Sequence, residues 1–294
     1  MKIPLRYKDK RCEGDCTLRQ VQLVGLHLLH VFDAICSEHN LSYFLDGGTL
    51  LGAFRHGGFI PWDDDVDVGM PRKDYERFLK IARQALPDDV TLQTPSDVPT
   101  LARTYSKLRD DYSFMFEHCA MLGTAHSGIW IDVFPWDEAP NVREGLRIWM
   151  ARKRAAALGH MKVHLNSGTK GVLAAVLHVP FAFVYRIAHL LLMCLWWGLC
   201  RITGSRSLCI TPEFWETQDH YQKEWIFPLK RHRFEDGEFL VPAESERCLQ
   251  QVFGDWMSLP PPERRKAHCL FADPVRAVSM EYGKHYSTEV EGWS

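Results

Sequence analysis

An α+β fold is predicted for this 294-residue chain from three features. Apolar residues recur at helical spacing over 17–40 and 71–85, which marks two helices with a buried side. Short runs with strand-like composition lie between and after them. The segment Asp65-Val66-Asp67-Val68 alternates acid and valine, the period of a half-buried strand whose i and i+2 side chains share a face. Together these predict helices packed with short β-strands, with an apolar helical stretch later in the chain.

The elements follow in order. Residues 1–16 read as an irregular lead-in. Val21, Val24, Leu28, Val31, Phe32 and Ile35 place one face of a first helix, with Thr17 as its N-cap and its end near Glu38-His39-Asn40. A short strand over 41–45 is turned by Gly47-Gly48, and 49–55 form a short helix that Gly57-Gly58 breaks. Ile60-Pro61-Trp62 leads into the acidic strand. Pro71 and Arg72 then open a helix to about Ala85, burying Tyr75, Phe78, Leu79 and Ala82. Strands are expected at 90–93, 104–108 and 113–117. GIWIDVF at 128–134 is an apolar strand that carries Asp132 and ends at Pro135. Residues 141–168 read as a basic polar helix. Late in the chain, a strand–turn–strand unit begins at Trp225-Ile226-Phe227-Pro228, turns at Glu235-Asp236-Gly237-Glu238 and returns over 239–241. A helix over about 244–253 and an irregular polar tail from Leu259 complete it.

Bulk properties exclude some functions. The net charge of −2 carries no basic bias toward nucleic acid or anionic lipid. The nine cysteines are scattered, with Cys12 and Cys16 the only close pair, so neither a zinc module nor a disulfide framework is indicated. The N-terminus MKIPLRYKDKRCEGD lacks an apolar h-region, which with free thiols predicts a cytoplasmic protein.

The acidic strand carries the chemistry. Asp65 and Asp67 would point the same way a few ångströms apart, and like charges so close need a cation between them. A hard divalent ion, Mg²⁺ or Mn²⁺, suits carboxylate oxygens. A calcium loop fits less well, because Val68 stands where glycine is needed and Asp74 where glutamate is needed. Asp132 is costly inside an apolar strand unless paired or ligated, so Asp65, Asp67 and Asp132 are the expected metal and catalytic set. Gly47, Gly48 and Thr49 offer backbone N–H groups and a hydroxyl to a phosphate. Arg55 and Lys107 are candidate phosphate ligands.

Residues 172–200 hold two apolar runs of about 14 residues flanking Arg186, each short of the roughly 18–20 that cross a bilayer. Three readings stay open: a helix or hairpin on the cytoplasmic membrane face, a buried helix pair, or a transmembrane span.

The segments DGGTLLGAFRHGGFIPWDDDVDVGMPRKDYERFL, IDVFPWD, FPLKRHRFEDGEFLVP and FGDWMSLPPPERRKAH resemble the LicD family, the phosphocholine or polyol-phosphate transferases of bacterial surface glycans such as lipopolysaccharide, teichoic acid and capsule. The family is related to the fukutin proteins. Matching segments cover about 17–137 and 224–268, leaving 172–200 outside. The resemblance implies a nucleotidyltransferase fold like that of DNA polymerase beta, a small mixed β-sheet with flanking helices plus an apolar helical insertion, with Gly47-Gly48, Asp65/Asp67 and Asp132 in the superfamily's site positions. It implies transfer of a phosphorylated alcohol from a CDP-activated donor to a sugar hydroxyl of a glycan or lipid-linked glycan, with release of CMP. It further suggests a catalytic core over 17–140, an insertion over 141–210, and a completing segment over 211–270. Two alternatives remain: a nucleotidyltransferase moving a nucleoside monophosphate, and an inactive scaffold for glycan assembly.

Overall fold

The computed structural model describes residues 8–97, 104–116, 127–168, 172–210, 220–269 and 271–275. The lead-in is more ordered than its composition suggests. Arg11–Glu13 form a 3-10 turn, and the buried Arg11 guanidinium pairs with the Asp110 carboxylate. Helix α1 spans Thr17–Glu38, with Cys16 rather than Thr17 at the N-cap position. The one-sided helix expected from its periodicity is buried all round between Val21 and Phe32. Its polar residues are satisfied inside the fold: Gln22 donates to the carbonyls of Ile60 and Asp63, and His30 pairs with Asp236.

Strand β1 (Phe44–Leu45) leads into α2 (Gly47–Arg55). Gly47-Gly48 are therefore the first turn of the helix, not a turn ahead of it. The reason is Asp46, an extended residue whose carboxylate accepts the Gly47 N–H at 2.9 Å and caps the helix. Gly47 takes a positive φ of 50°, open to glycine at little cost. The acidic strand β2 is Asp67–Pro71, so Asp65 lies just ahead of it. Helix α3 (Arg72–Ala85), β3 (Val90–Gln93), β4 (Ser106–Asp110) and β5 (Phe114–Phe116) follow. The final residue of the strand expected at 113–117 lies outside the described residues.

Strand β6 is Trp130–Ala139 and continues through Pro135. Its antiparallel neighbour changes there, from β4 opposite Trp130–Val133 to β7 (Ser207–Ile210) opposite Trp136–Ala139. Pro135 falls in the gap between the two, where its missing N–H breaks no ladder bond. Helices α4 (Glu144–Gly168) and α5 (Val172–Thr203) form a hairpin between β6 and β7. The two apolar runs are one continuous helix with Pro180 inside it. The chain closes with β8 (His220–Gln222), α6 (Lys223–Ile226), the β9–β10 hairpin (Lys230–Phe234, Gly237–Val241), α7 (Ser245–Phe253) and β11 (Phe271–Asp273), which pairs with β5 inside the tail expected to be irregular.

The main sheet is mixed, in the order β1-β2-β6-β4-β3, with β7 and β8 continuing from the far half of β6. Among the described residues, only β2 and β6 pair in parallel. Helices α1 and α3 pack on this sheet over a core that includes Val24, Phe32, Phe78, Leu108, Ile131 and Val133. A smaller cluster of Met150, Trp196, Cys200 and Cys209 sits at the root of the α4–α5 hairpin.

Candidate active site

Strand register assembles the centre. Asp67 on β2 is the parallel partner of Asp132 on β6, and Asp132 is the antiparallel partner of Lys107 on β4. Residues paired across neighbouring strands project to one face, so Asp67, Asp132 and Lys107 form a row across three strands. The backbone around Asp67 is held tightly. Its N–H donates to Thr49 Oγ1 at 2.8 Å, its carbonyl accepts from Asp46 N–H at 3.1 Å, and the Asp132 N–H donates to the Val66 carbonyl at 2.8 Å.

The N-terminal glycines of α2 lie against these acids. A side chain at Gly47 would begin 3.1 Å from Asp67 Oδ2, and one at Gly48 would begin 2.8 Å from Asp63 Oδ2. Asp46 stays in its capping role, also accepting from the buried Trp136 Nε1 at 3.0 Å. The predicted phosphate hydroxyl of Thr49 already accepts the Asp67 N–H, which leaves its own proton to donate.

Electrostatic crowding is the main property of the site. Burial raises the Asp67 carboxyl well above its usual range, and the charges of Asp65, Asp132, Asp46 and Asp63 add to the shift. Asp63 is pushed up to about 8, first by burial, then by the charge of Asp65 and a hydrogen bond with it. Donor atoms of Asp63, Asp64, Asp65 and His268 lie within 4.8 Å of one another. His268 Nδ1 stands 3.4 Å from Asp65 Oδ2, and that bond raises the imidazole to about 9 against the opposing effect of burial. The buried Asp132 Oδ1 has no aligned hydrogen-bond donor, although Lys107 Nζ approaches it to 2.8 Å. Clustered carboxylates that outnumber the cations among them are the donor set a hard divalent cation takes.

The remaining predicted residues have definite places. Lys107 is buried, pairs with Asp132 and lies 3.8 Å from the Trp130 ring centroid. Arg55, at the end of α2, donates to the carbonyls of Trp256 and Ser258 at 2.9 and 3.3 Å, which ties down the segment after α7. Two residues escaped the sequence reading as members of the site. Asp63 stood visibly in the acidic run. His268 lies about two hundred positions from its neighbours, and no local spacing marks it. Asp64 brings it in: its carboxylate is buried and accepts the backbone N–H groups of His268 and Cys269 at 2.9 and 2.7 Å.

Residues 40–150 match the family described as LicD/FKTN/FKRP, nucleotidyltransferase domain. The chain is 30% identical over 266 residues to the lipopolysaccharide cholinephosphotransferase LicD of Haemophilus influenzae, covering 86% of this chain and 96% of that one. A 71-residue stretch is 38% identical to human ribitol 5-phosphate transferase FKRP, covering 24% of this chain and 14% of that protein. Near-complete coverage of the bacterial relative, with the matched segment spanning β2 and β6, shows that the chain belongs to the LicD family of phosphotransferases.

Proposed function

We propose that this protein transfers a phosphorylated alcohol, phosphocholine or a polyol phosphate, from a CDP-activated donor to a sugar hydroxyl of a cell-surface glycan, releasing CMP. The observation that carries the reading is the pairing of Asp67 with Asp132 across neighbouring strands, with carboxylate oxygens of Asp67 and Asp63 set against the glycine N-terminus of α2. The bacterial relative's name supports phosphocholine as cargo and FKRP's name supports ribitol phosphate. The β2–β6–β4 arrangement is read as a nucleotidyltransferase fold, with 17–140 and 211–270 as the catalytic unit and 141–210 as an insertion whose end, β7, returns to the sheet.

Asp65, Asp67 and Asp132 would hold Mg²⁺ or Mn²⁺, with Asp63 beside them. The ion would neutralise charge that develops on the donor diphosphate. Every other task falls to the chain. Gly47 and Gly48 let the donor approach the start of α2, where the helix dipole favours an anion. The Thr49 hydroxyl donates to a phosphate oxygen. Asp132 accepts the proton of the attacking sugar hydroxyl, and Lys107, paired with it, holds its carboxylate in place. Cationic His268, on a strap that also bears Arg264, Arg265 and Lys266, faces the leaving CMP, as does Arg55 at the strap's far end.

The reaction is placed in the cytoplasm, near the membrane that carries lipid-linked acceptors. The decisive experiment is a screen of CDP-alcohols against glycan acceptors, reading released CMP with and without Mg²⁺. CMP formed together with a phosphodiester-modified sugar, and only with the metal, is the expected result. A product carrying the cytidine would favour nucleotidyl transfer. Full turnover in metal-free buffer would remove the carboxylates from the role given to them.

A further inference from the structure

Helix α5 is inside out. Toward α4 it turns His178, Ala182, Tyr185, His189, Trp196 and Cys200, a face that carries its two histidines and its tyrosine, while its two arginines, Arg186 and Arg201, are exposed. The histidines and the tyrosine are engaged there. His178 Nδ1 lies 2.9 Å from His164 Nδ1, Tyr185 stacks on His160 with ring centroids 4.9 Å apart, and His189 Nδ1 is 3.4 Å from the Arg154 carbonyl. The opposite face presents Val176, Phe183, Val184, Ile187, Leu191 and Leu195, each between 41% and 66% exposed. A helix bordering water shows the reverse pattern, apolar inward and polar outward. The medium outside α5 is therefore apolar.

Charge and packing say which apolar medium. Helix α4 lies antiparallel along α5 from Met150, beside Trp196, to His164, beside His178. Its own outward face is mixed and exposes Arg152 and Lys153. The stretch Val176–Thr203 is 28 residues, roughly 42 Å at about 1.5 Å per residue, long enough to cross a bilayer. Crossing would carry Arg152 and Lys153 into hydrocarbon beside it, which is costly. Lying flat leaves them in water or among anionic headgroups. Arg186 and Arg201, exposed on α5, have stems long enough to reach the headgroups from the edge of the apolar face.

We propose that the α4–α5 hairpin is a monotopic membrane-docking element, with the outer face of α5 buried in the acyl boundary of an anionic bilayer and α4 on its aqueous side. The inference rests on the hairpin alone and stands whether or not the transfer chemistry is as described above. A lipid-bearing acceptor such as the one the Haemophilus relative is named for would be met at such a surface.

The test is flotation of the purified full chain with phosphatidylcholine vesicles, with and without phosphatidylglycerol. Binding is expected to both, and more tightly with the anionic lipid. Phe183→Glu with Leu191→Glu should weaken binding by roughly tenfold or more, and Arg152→Glu with Lys153→Glu should remove only the anionic preference. Circular dichroism checks that each variant is folded. On sealed vesicles, an impermeant amine reagent added outside should still label Lys153. Protection of Lys153 would mean a spanning hairpin and overturn the flat placement. A wild-type chain that stays with the soluble fraction, or forms a stable dimer that ignores vesicles, would overturn membrane docking altogether.

Discussion

Asp67 sits where three demands meet. Its backbone is bonded to Thr49 and Asp46, its strand partner is Asp132, and its carboxylate shares a crowded volume with Asp63 and Asp65. Asp67→Asn keeps the shape and removes the charge. It should reduce transfer by at least about a thousandfold with little change in thermal stability, a loss in the range seen when a key electrostatic group is deleted. Paired activity and melting measurements check this, and near-normal turnover would refute the assignment. The pH response of the metal-free protein follows from the same crowding. Asp63 rises from 3.8 to about 8 on folding, so the stability it contributes is fully present below 3.8 and is lost as pH rises through about 8. His268 rises from 6.5 to about 9, so its contribution holds below 6.5 and is lost as pH rises through about 9. Metal-free protein should therefore lose stability between about pH 4 and pH 9. Added Mg²⁺ should raise Tm more at about pH 9 than at about pH 6, because the ion takes the place of the departing protons. Melting curves in chelator and in Mg²⁺ measure both, and His268→Ala should flatten the alkaline part of the slope.

At the scale of elements, helix α2 is placed by its glycines. Gly47 and Gly48 touch carboxylates, while Gly52 packs against the Gly58 carbonyl oxygen so closely that an added Cβ would overlap it. Backbone cannot step aside as a side-chain tip can. Gly52→Ala should cost about 1–3 kcal/mol in chemical denaturation and tilt α2 enough to lower activity as well. Unchanged stability would show that the α2 turn relaxes freely. The existence of the elements was largely legible in the sequence: α1, α3 and α7 lie within a residue or two of their periodic patterns, whereas the hairpin's first strand starts at Lys230, because Trp225 and Ile226, expected to open it, belong to the short helix α6. Errors fell where a side-chain cap or a further strand decides. Asp46 drew the glycine pair into α2 because its carboxylate caps the helix. Strand β6 outran Pro135 because a second neighbour, β7, takes over beyond it.

The whole molecule is held by contacts that join distant parts of the chain. The buried pair of Arg11 and Asp110 fastens the lead-in to the end of β4, and the Pro274 carbonyl accepts from the same guanidinium at 2.9 Å. Arg11→Ala would strand a buried carboxylate and should cost about 3–5 kcal/mol in equilibrium unfolding. A cost below ~1 kcal/mol would mean that Asp110 finds water once its partner is gone. Similar logic governs the strap after α7, which Asp64 and Arg55 pin beside the acids. Local order alone determined a good deal about this protein. An alternating acid–valine segment, a glycine pair and a carboxylate inside an apolar strand carry their chemistry in residue type and spacing, because the period of a strand is a property of the backbone. Only the tertiary structure decided that Asp67, Asp132 and Lys107 share a row, that His268 returns across most of the chain to face Asp65, and that α5 wears its apolar side outward. Strand register, loop closure and the choice of what a helix packs against are settled by burial among all the elements at once, and no short stretch of sequence contains that information.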